Sequence, residues 1–217
     1  MTKFYFVRHG QTEWNLERRF QGGNGDSELL PSSYDDMIKV GEYLKDVSFA
    51  HVFASPLRRA RITAKNILRT MKYRGHVSLR SNIAEVGLGQ WEGELVANVK
   101  QKYATAYYNY RENLDEFEGQ EFDGEGYTKA EKRFVRFIKN LAEKYPDDNI
   151  LIISHGMALS FGIKGLLQTP RMAIRERGGL SNTSTTILST EDGQTFKVVD
   201  WNNTSYLNKA QNDTTTI

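Results

Sequence analysis

Short apolar runs, each stopping at a turn-forming residue and giving way to a segment of helical periodicity, constrain this chain more than any other feature. Phe4 to Val7 is a β-rich run that ends at Arg8-His9-Gly10, and Phe49 to Ala54 is closed by Ser55-Pro56. Between them, Ser32 to Val47 places Met37, Val40, Leu44 and Val47 at helical spacing, with Ser32 or Ser33 as the expected N-cap. Leu57 to Tyr73 gathers Ile62, Ile67, Leu68 and Met71 on one side of a second helix and is rich in Arg and Lys elsewhere. The later half repeats the pattern. Ala130, Phe134, Phe137, Ile138 and Leu141 mark a helix within Gly126 to Tyr145, Asn149 to Ile153 is the most apolar strand, and Met157 to Leu167 is a helix stopped by Pro170. Runs apolar on both faces need cover on both sides. The alternation therefore predicts an α/β fold, a three-layer sandwich with a mostly parallel central sheet flanked by helices. Thr183 to Ser189 and Thr195 to Trp201, joined through Glu191-Asp192-Gly193, predict an antiparallel pair near the end.

One stretch breaks the alternation. Residues 94–126 contain a Tyr-rich part, Tyr103 to Tyr110, that can form a helix, followed from Glu112 to Glu125 by seven acids without a Lys or Arg. We expect a helical or loop cap inserted into a single domain spanning 1–217, a length that suits one sizeable core. The acidic run is expected to be a solvated face. If it folded over a site, it would disfavour highly anionic ligands. The formal net charge of +2 gives no reason to expect nucleic acid or a membrane as partner, yet it conceals a basic first third, +6 over residues 1–80. The absence of cysteine excludes disulfides, Cys-ligated metals and thiolate nucleophiles. The N-terminal apolar run is too short for a signal peptide and no stretch approaches a membrane span, so a cytoplasmic location is expected. On that basis the Asn-x-Ser/Thr matches at Asn182, Asn202, Asn203 and Asn212 are chance. The polar last ten residues are expected to fray.

Open α/β sheets bind ligands beyond the carboxyl ends of their strands. Three such ends carry chemistry: Arg8-His9-Gly10-Gln11-Thr12, Ser55-Pro56-Leu57-Arg58-Arg59, and Ser154-His155-Gly156. A lone histidine in such a turn is most often a satisfied loop residue; two of them, accompanied by arginines, point to a phosphoryl group. Arginine donates in a planar fork that matches phosphate oxygens, and a glycine after a reactive histidine lets backbone approach a tetrahedral anion. A neutral imidazole nitrogen can attack phosphorus directly, splitting one hydrolysis into two displacements. The histidines have neither H-x-x-x-H spacing nor nearby carboxylate clusters, so no metal site is expected.

These residues sit within longer motifs. Val7-Arg8-His9-Gly10-Gln11-Thr12-Glu13-Trp14-Asn15 resembles the signature of the histidine phosphatase superfamily, in its phosphoglycerate-mutase-like branch. The resemblance continues in Arg19-Phe20-Gln21-Gly22, in Ser55 to Ala64, in Glu85 to Gly93, in Ser154-His155-Gly156 and in the tail Trp201 to Leu207, and so covers nearly the whole chain. It implies that His9 is the nucleophile that becomes phosphorylated. Arg8 and Arg59 match the phosphate clamp, His155 the second histidine of the pocket, and Glu85 the group that protonates the leaving oxygen and then activates water. Arg59 rather than Arg58 fits the motif because it directly precedes Ala60. Asn15, Gln21 and Gly22 match loop positions that touch substrate in relatives.

The chain also departs from the family pattern. Gly23 to Ser32 replaces a shorter conventional run, a change expected to leave the chemistry untouched, and Asp123-Gly124-Glu125-Gly126 only loosely matches a Gly-Gly-Glu-Ser segment. Trp91-Glu92-Gly93 resembles phosphatase members more than mutases. The expected activity is a metal-independent, cofactor-free phosphomonoesterase acting on small phosphorylated metabolites, as monomer or homodimer. The alternatives are a cofactor-dependent phosphoglycerate mutase, for which the insertion offers Lys100, Lys102 and Arg111, and a catalytically idle phosphate-binding or interaction protein.

Overall fold

In the computed structural model, which describes residues 1–174, 176 and 178–207, the apolar runs form one six-stranded sheet. β1 (Thr2–Arg8) pairs in parallel with β4 (Asn149–Ser154); β2 (His51–Ala54) lies on the far side of β4 and β3 (Val77–Leu79) beyond it, both parallel. β5 (Thr185–Thr190) and β6 (Lys197–Asn203) add the expected antiparallel pair on the other side of β1. The strand order is β3-β2-β4-β1-β5-β6.

Alternation along each strand splits the core in two. Tyr5, Val7, Val52, Ala54, Leu151 and Ile153 face the helices that follow β1 and β2, and Phe4, Phe6, Phe53, Ile150 and Ile152 face the later ones. The helices are α1 (Glu13–Leu16, a single turn), α2 (Pro31–Leu44), α3 (Arg58–Thr70), α4 (Val96–Lys102), α5 (Ala104–Glu112), α6 (Tyr127–Lys144) and α7 (Gly156–Leu166). α2 and α3 cover one face and α6 and α7 the other, giving the three-layer α/β sandwich.

The structure departs from expectation at two places. α2 is not capped by Ser32 or Ser33: Leu30 precedes it in extended conformation and Pro31 is its first residue, where a missing N–H costs nothing. The Ser33 hydroxyl instead donates to the Gln11 carbonyl at 2.8 Å. β3 is an additional edge strand of three residues, too short and too exposed to show alternation in the sequence. The expected fraying of residues 208–217 lies outside the described residues.

Residues 94–126 form α4, α5 and two 3-10 turns, Leu114–Glu116 and Gln120–Phe122. They are anchored by an aromatic cluster centred on buried Trp91, whose ring stacks on Phe122 at 4.2 Å, with Phe20, Tyr110 and Phe117 around it. α6 and α7 meet where Gly162 faces the buried Phe134 ring. A methyl there would gain about 1 kcal/mol of helix propensity, but overpacking a closed core costs about 1–3 kcal/mol. A Cβ at Gly162 would overlap the ring itself, so overpacking dominates. Gly162→Ala is expected to lower the free energy of unfolding by about 1–2 kcal/mol in urea titrations; an unchanged or higher midpoint would contradict this packing.

Candidate active site

Strand register assembles the site. Arg8 lies opposite Ser154 in the β1–β4 ladder and Ala54 opposite Ile153 in the β2–β4 ladder, so His9, Ser55 and His155 leave three adjacent strands at the same level. The two imidazole rings stand 5.1 Å apart between centroids, and both are buried.

Hydrogen bonding fixes what each ring offers. His9 Nδ1 lies 2.7 Å from the Gly10 carbonyl oxygen, which can only accept. Nδ1 therefore carries the proton and Nε2 holds the lone pair. Burial, reinforced by the charges of Arg59 and Arg8, pushes the His9 pKa well below the ordinary histidine value. The ring is thus neutral at physiological pH. His155 bonds through Nε2 to the Ser55 hydroxyl at 2.6 Å, and its buried Nδ1 has no partner among the described residues. Its pKa is likewise depressed, by burial first and then by Arg59, His9 and Arg8.

Arg8 donates from Nη1 to the Leu180 carbonyl at 2.6 Å, and burial lowers its pKa to about 10, which leaves it charged at neutral pH. Arg59, 1% exposed, is held by the Gly22 and Gly25 carbonyls at 2.9 and 2.7 Å and by Asp26 at 3.1 Å. Asp26 also accepts from the backbone N–H groups of Arg58 and Arg59. The departing Gly23 to Ser32 run is therefore not neutral to the site, because its Gly25 carbonyl and Asp26 carboxylate help to aim Arg59. Glu92 in turn grips that loop, accepting from the N–H groups of Asn24 and Gly25. Arg58 points outward to Glu28. The two glycines after the histidines serve packing: a Cβ on Gly10 would strike Met37 and Ser33 of α2, and one on Gly156 would press on the Arg8 guanidinium.

Glu85 lies in the segment after β3, and its buried carboxylate accepts from the N–H groups of Ala158 at 2.8 Å, Val86 at 3.0 Å and Met157 at 3.2 Å. Two of these are first-turn donors of α7, so Glu85 closes the N-terminus of the helix that follows His155. The Ser154 hydroxyl donates to the Ile83 carbonyl at 2.8 Å and ties this segment to β4.

A cavity of about 280 Å³ opens over these groups. Arg8, His9, Asn15, Gln21 and Glu85 line it; Arg59 and His155 lie deeper, and Gly22 is outside the lining, acting through its carbonyl on Arg59. The Asn15 carboxamide oxygen accepts from Thr12 and Asn182, which leaves its NH2 for the cavity. Asn182 also donates to the His9 carbonyl at 3.0 Å, and Thr63 accepts from the Gly10 N–H. Asn182 was legible only as a chance glycosylation match, and no sequence signal marked it. From the cap, Tyr110 and Arg111 reach the wall. The acidic run does not: Leu114, Phe117 and Phe122 turn inward, its acids from Glu112 to Asp123 stay exposed, and Glu125 turns to Arg133. Among the described residues no cluster of His, Cys, Asp or Glu could hold a metal ion. No described helix is long and apolar enough to cross a membrane.

Comparison with known proteins agrees with this geometry. Residues 4–204 match the family model described as histidine phosphatase superfamily (branch 1). The chain belongs to this superfamily. The chain is 27% identical over 205 residues to phosphoglycerate mutase-like protein 4 of Arabidopsis thaliana, covering 93% of this chain and 85% of that protein. Among solved structures it resembles Bacillus stearothermophilus YhfR with a TM-score of 0.87 and 26% identity, over 95% of this chain and 100% of the other. It also resembles a phosphoserine phosphatase from Entamoeba histolytica, solved with phosphoserine, with a TM-score of 0.81 and 28% identity over 95% and 100% of the two chains.

The depressed histidine pKa values have a consequence for stability. Below about pH 6.5 the unfolded chain binds protons that the folded site refuses, so stability present above that pH is lost as pH falls. Between pH 7.5 and 5.5 His9 and His155 each make the fold progressively less stable. Urea unfolding at the two pH values is expected to show a smaller loss of stability in His155→Gln than in wild type, and an undiminished loss would contradict the burial of a neutral ring.

Proposed function

We propose that this histidine phosphatase is a phosphomonoesterase that hydrolyses small phosphorylated metabolites through a covalent phosphohistidine on His9. The observation that carries the reading is the His9 ring, neutral, with Nδ1 pinned to the Gly10 carbonyl and Nε2 left as the nucleophile, beside two buried arginines. In the first displacement Nε2 bonds to phosphorus as the ester P–O bond breaks, and Glu85 gives its proton to the departing oxygen. In the second, Glu85 takes a proton from water, whose oxygen attacks phosphorus, the P–N bond breaks and inorganic phosphate leaves. Arg8, Arg59 and His155, with the amides of Asn15 and Gln21, hold the phosphoryl oxygens, whose charge grows in both transition states. The scheme calls for no metal or other cofactor.

Phosphatase relatives support this reading, and the solved phosphoserine complex gives one substrate to include among candidates. Curated relatives that carry the name phosphoglycerate mutase favour a second reading, cofactor-dependent mutase activity, with Arg111 on the cavity wall as the group to meet a substrate carboxylate.

Two assays separate the possibilities. With p-nitrophenyl phosphate, His9→Ala is expected to lose at least about 10³-fold in kcat, as removal of a nucleophile does, and brief reaction followed by acid and alkali treatment should trap an acid-labile, alkali-stable phosphoenzyme only in wild type. Hydrolysis that persists in the variant overturns the mechanism. Strong turnover of 3-phosphoglycerate dependent on catalytic 2,3-bisphosphoglycerate would instead select the mutase.

A further inference from the structure

Arg133, on α6, lies outside the cavity lining yet divides its guanidinium between the segment that carries Glu85 and the carboxylate of Glu125. Nη1 donates to the Asn82 carbonyl at 2.7 Å and Nη2 to the Glu85 carbonyl at 3.2 Å. Nε and Nη2 grip the two oxygens of Glu125 at 2.7 and 2.8 Å, a bidentate pair with both side chains largely shielded from water. Glu125 closes the circuit from the cap: its backbone N–H donates to the Gly87 carbonyl at 2.6 Å, and its carboxylate accepts from the Gly87 N–H at 3.4 Å. Residues 82–87 are therefore held from behind by one arginine and from the side by one glutamate. The loosely matching Asp123-Gly124-Glu125-Gly126 segment acquires a role here that its sequence did not disclose.

Without this brace the Glu85 side chain keeps the α7 donors and its own neighbour's N–H, while the backbone that aims it loses its ties at Asn82, Glu85 and Gly87 and keeps the Ser154 bond to Ile83. We propose that Arg133, through its pair with Glu125, is a positioning residue that holds the Glu85 carboxyl against the oxygen of the departing group. The inference rests on the phosphatase reading above. A guanidinium fork is required because one planar group meets two carbonyls and a carboxylate at once; a lysine ammonium reaches fewer of them.

The test exploits leaving-group chemistry. A p-nitrophenolate departs without a proton, whereas the alkoxide of phosphoserine needs one as its P–O bond breaks, and kcat/KM reports that bond-breaking step. In Arg133→Gln we expect kcat/KM for phosphoserine to fall on the order of 10–10²-fold, the scale of a misplaced catalytic group, while p-nitrophenyl phosphate loses less than about threefold. Arg133→Lys should recover part of the loss. Glu85→Gln should show the same selectivity, and adding Arg133→Gln to it should cost little more, since both act through one group. Glu125→Gln, nearly isosteric, gives a second route should Arg133→Gln fail to fold. Equal losses on both substrates, or full additivity with Glu85→Gln, would reduce the pair to a fold brace and overturn the proposal. Wild type that hydrolyses neither substrate would instead refute the phosphatase reading itself.

Discussion

Parallel pairing of β1 with β4 sets Arg8 opposite Ser154, and β2 on the far side of β4 brings Ser55 to the same level as His9 and His155. Every other arrangement at the site presupposes this ladder. Slipping β4 by one residue would send Ile150 and Ile152 toward one wrong helical layer and Leu151 and Ile153 toward the other, so two filled cores enforce the register that the histidines use. The chemistry is thus positioned by apolar packing rather than by contacts among the polar groups themselves.

The polar groups, by contrast, oppose folding. Two guanidinium groups and two imidazoles are withdrawn from water with Glu85 and Asp26 as the acids that face them. Much of the hydrogen bonding to Arg8 and Arg59 comes from neutral carbonyls, those of Leu180, Gly22 and Gly25, which orient a cation without cancelling its charge. A site built this way keeps a positive potential in a low-dielectric setting and has little reorganisation left to do when an anion arrives. Burial first, then this concentration of positive charge, depresses the two histidine pKa values and keeps both rings neutral.

Much of this was legible in the sequence, for physical reasons that also mark where legibility ends. Buried parallel strands announce themselves because both faces are apolar, and the turns after them carry Arg8, His9, Arg59 and His155 within a few residues of each strand end. Glu85 emerged only through family resemblance, since nothing local separates it from other acids. Arg133 and Asn182 did not emerge at all: their partners lie 48 and 173 residues away, and their roles exist only once the chain has folded. The acidic run could have been oriented from Leu114, Phe117 and Phe122, whose spacing reserves the inward positions and leaves the surface to the carboxylates from Glu112 to Asp123.

The basic first third sends only two of its cations into the site, and the edge strand β3 gives others a use. Sheet edges expose unpaired N–H and C=O groups to any passing strand, including that of a second copy of the chain. β3 presents only three residues, Val77–Leu79, and exposed Arg74, His76 and Arg80 stand at its two ends. Two such edges brought together would set like charges against one another. The surplus of positive charge in the first third thus also opposes strand pairing at this short edge.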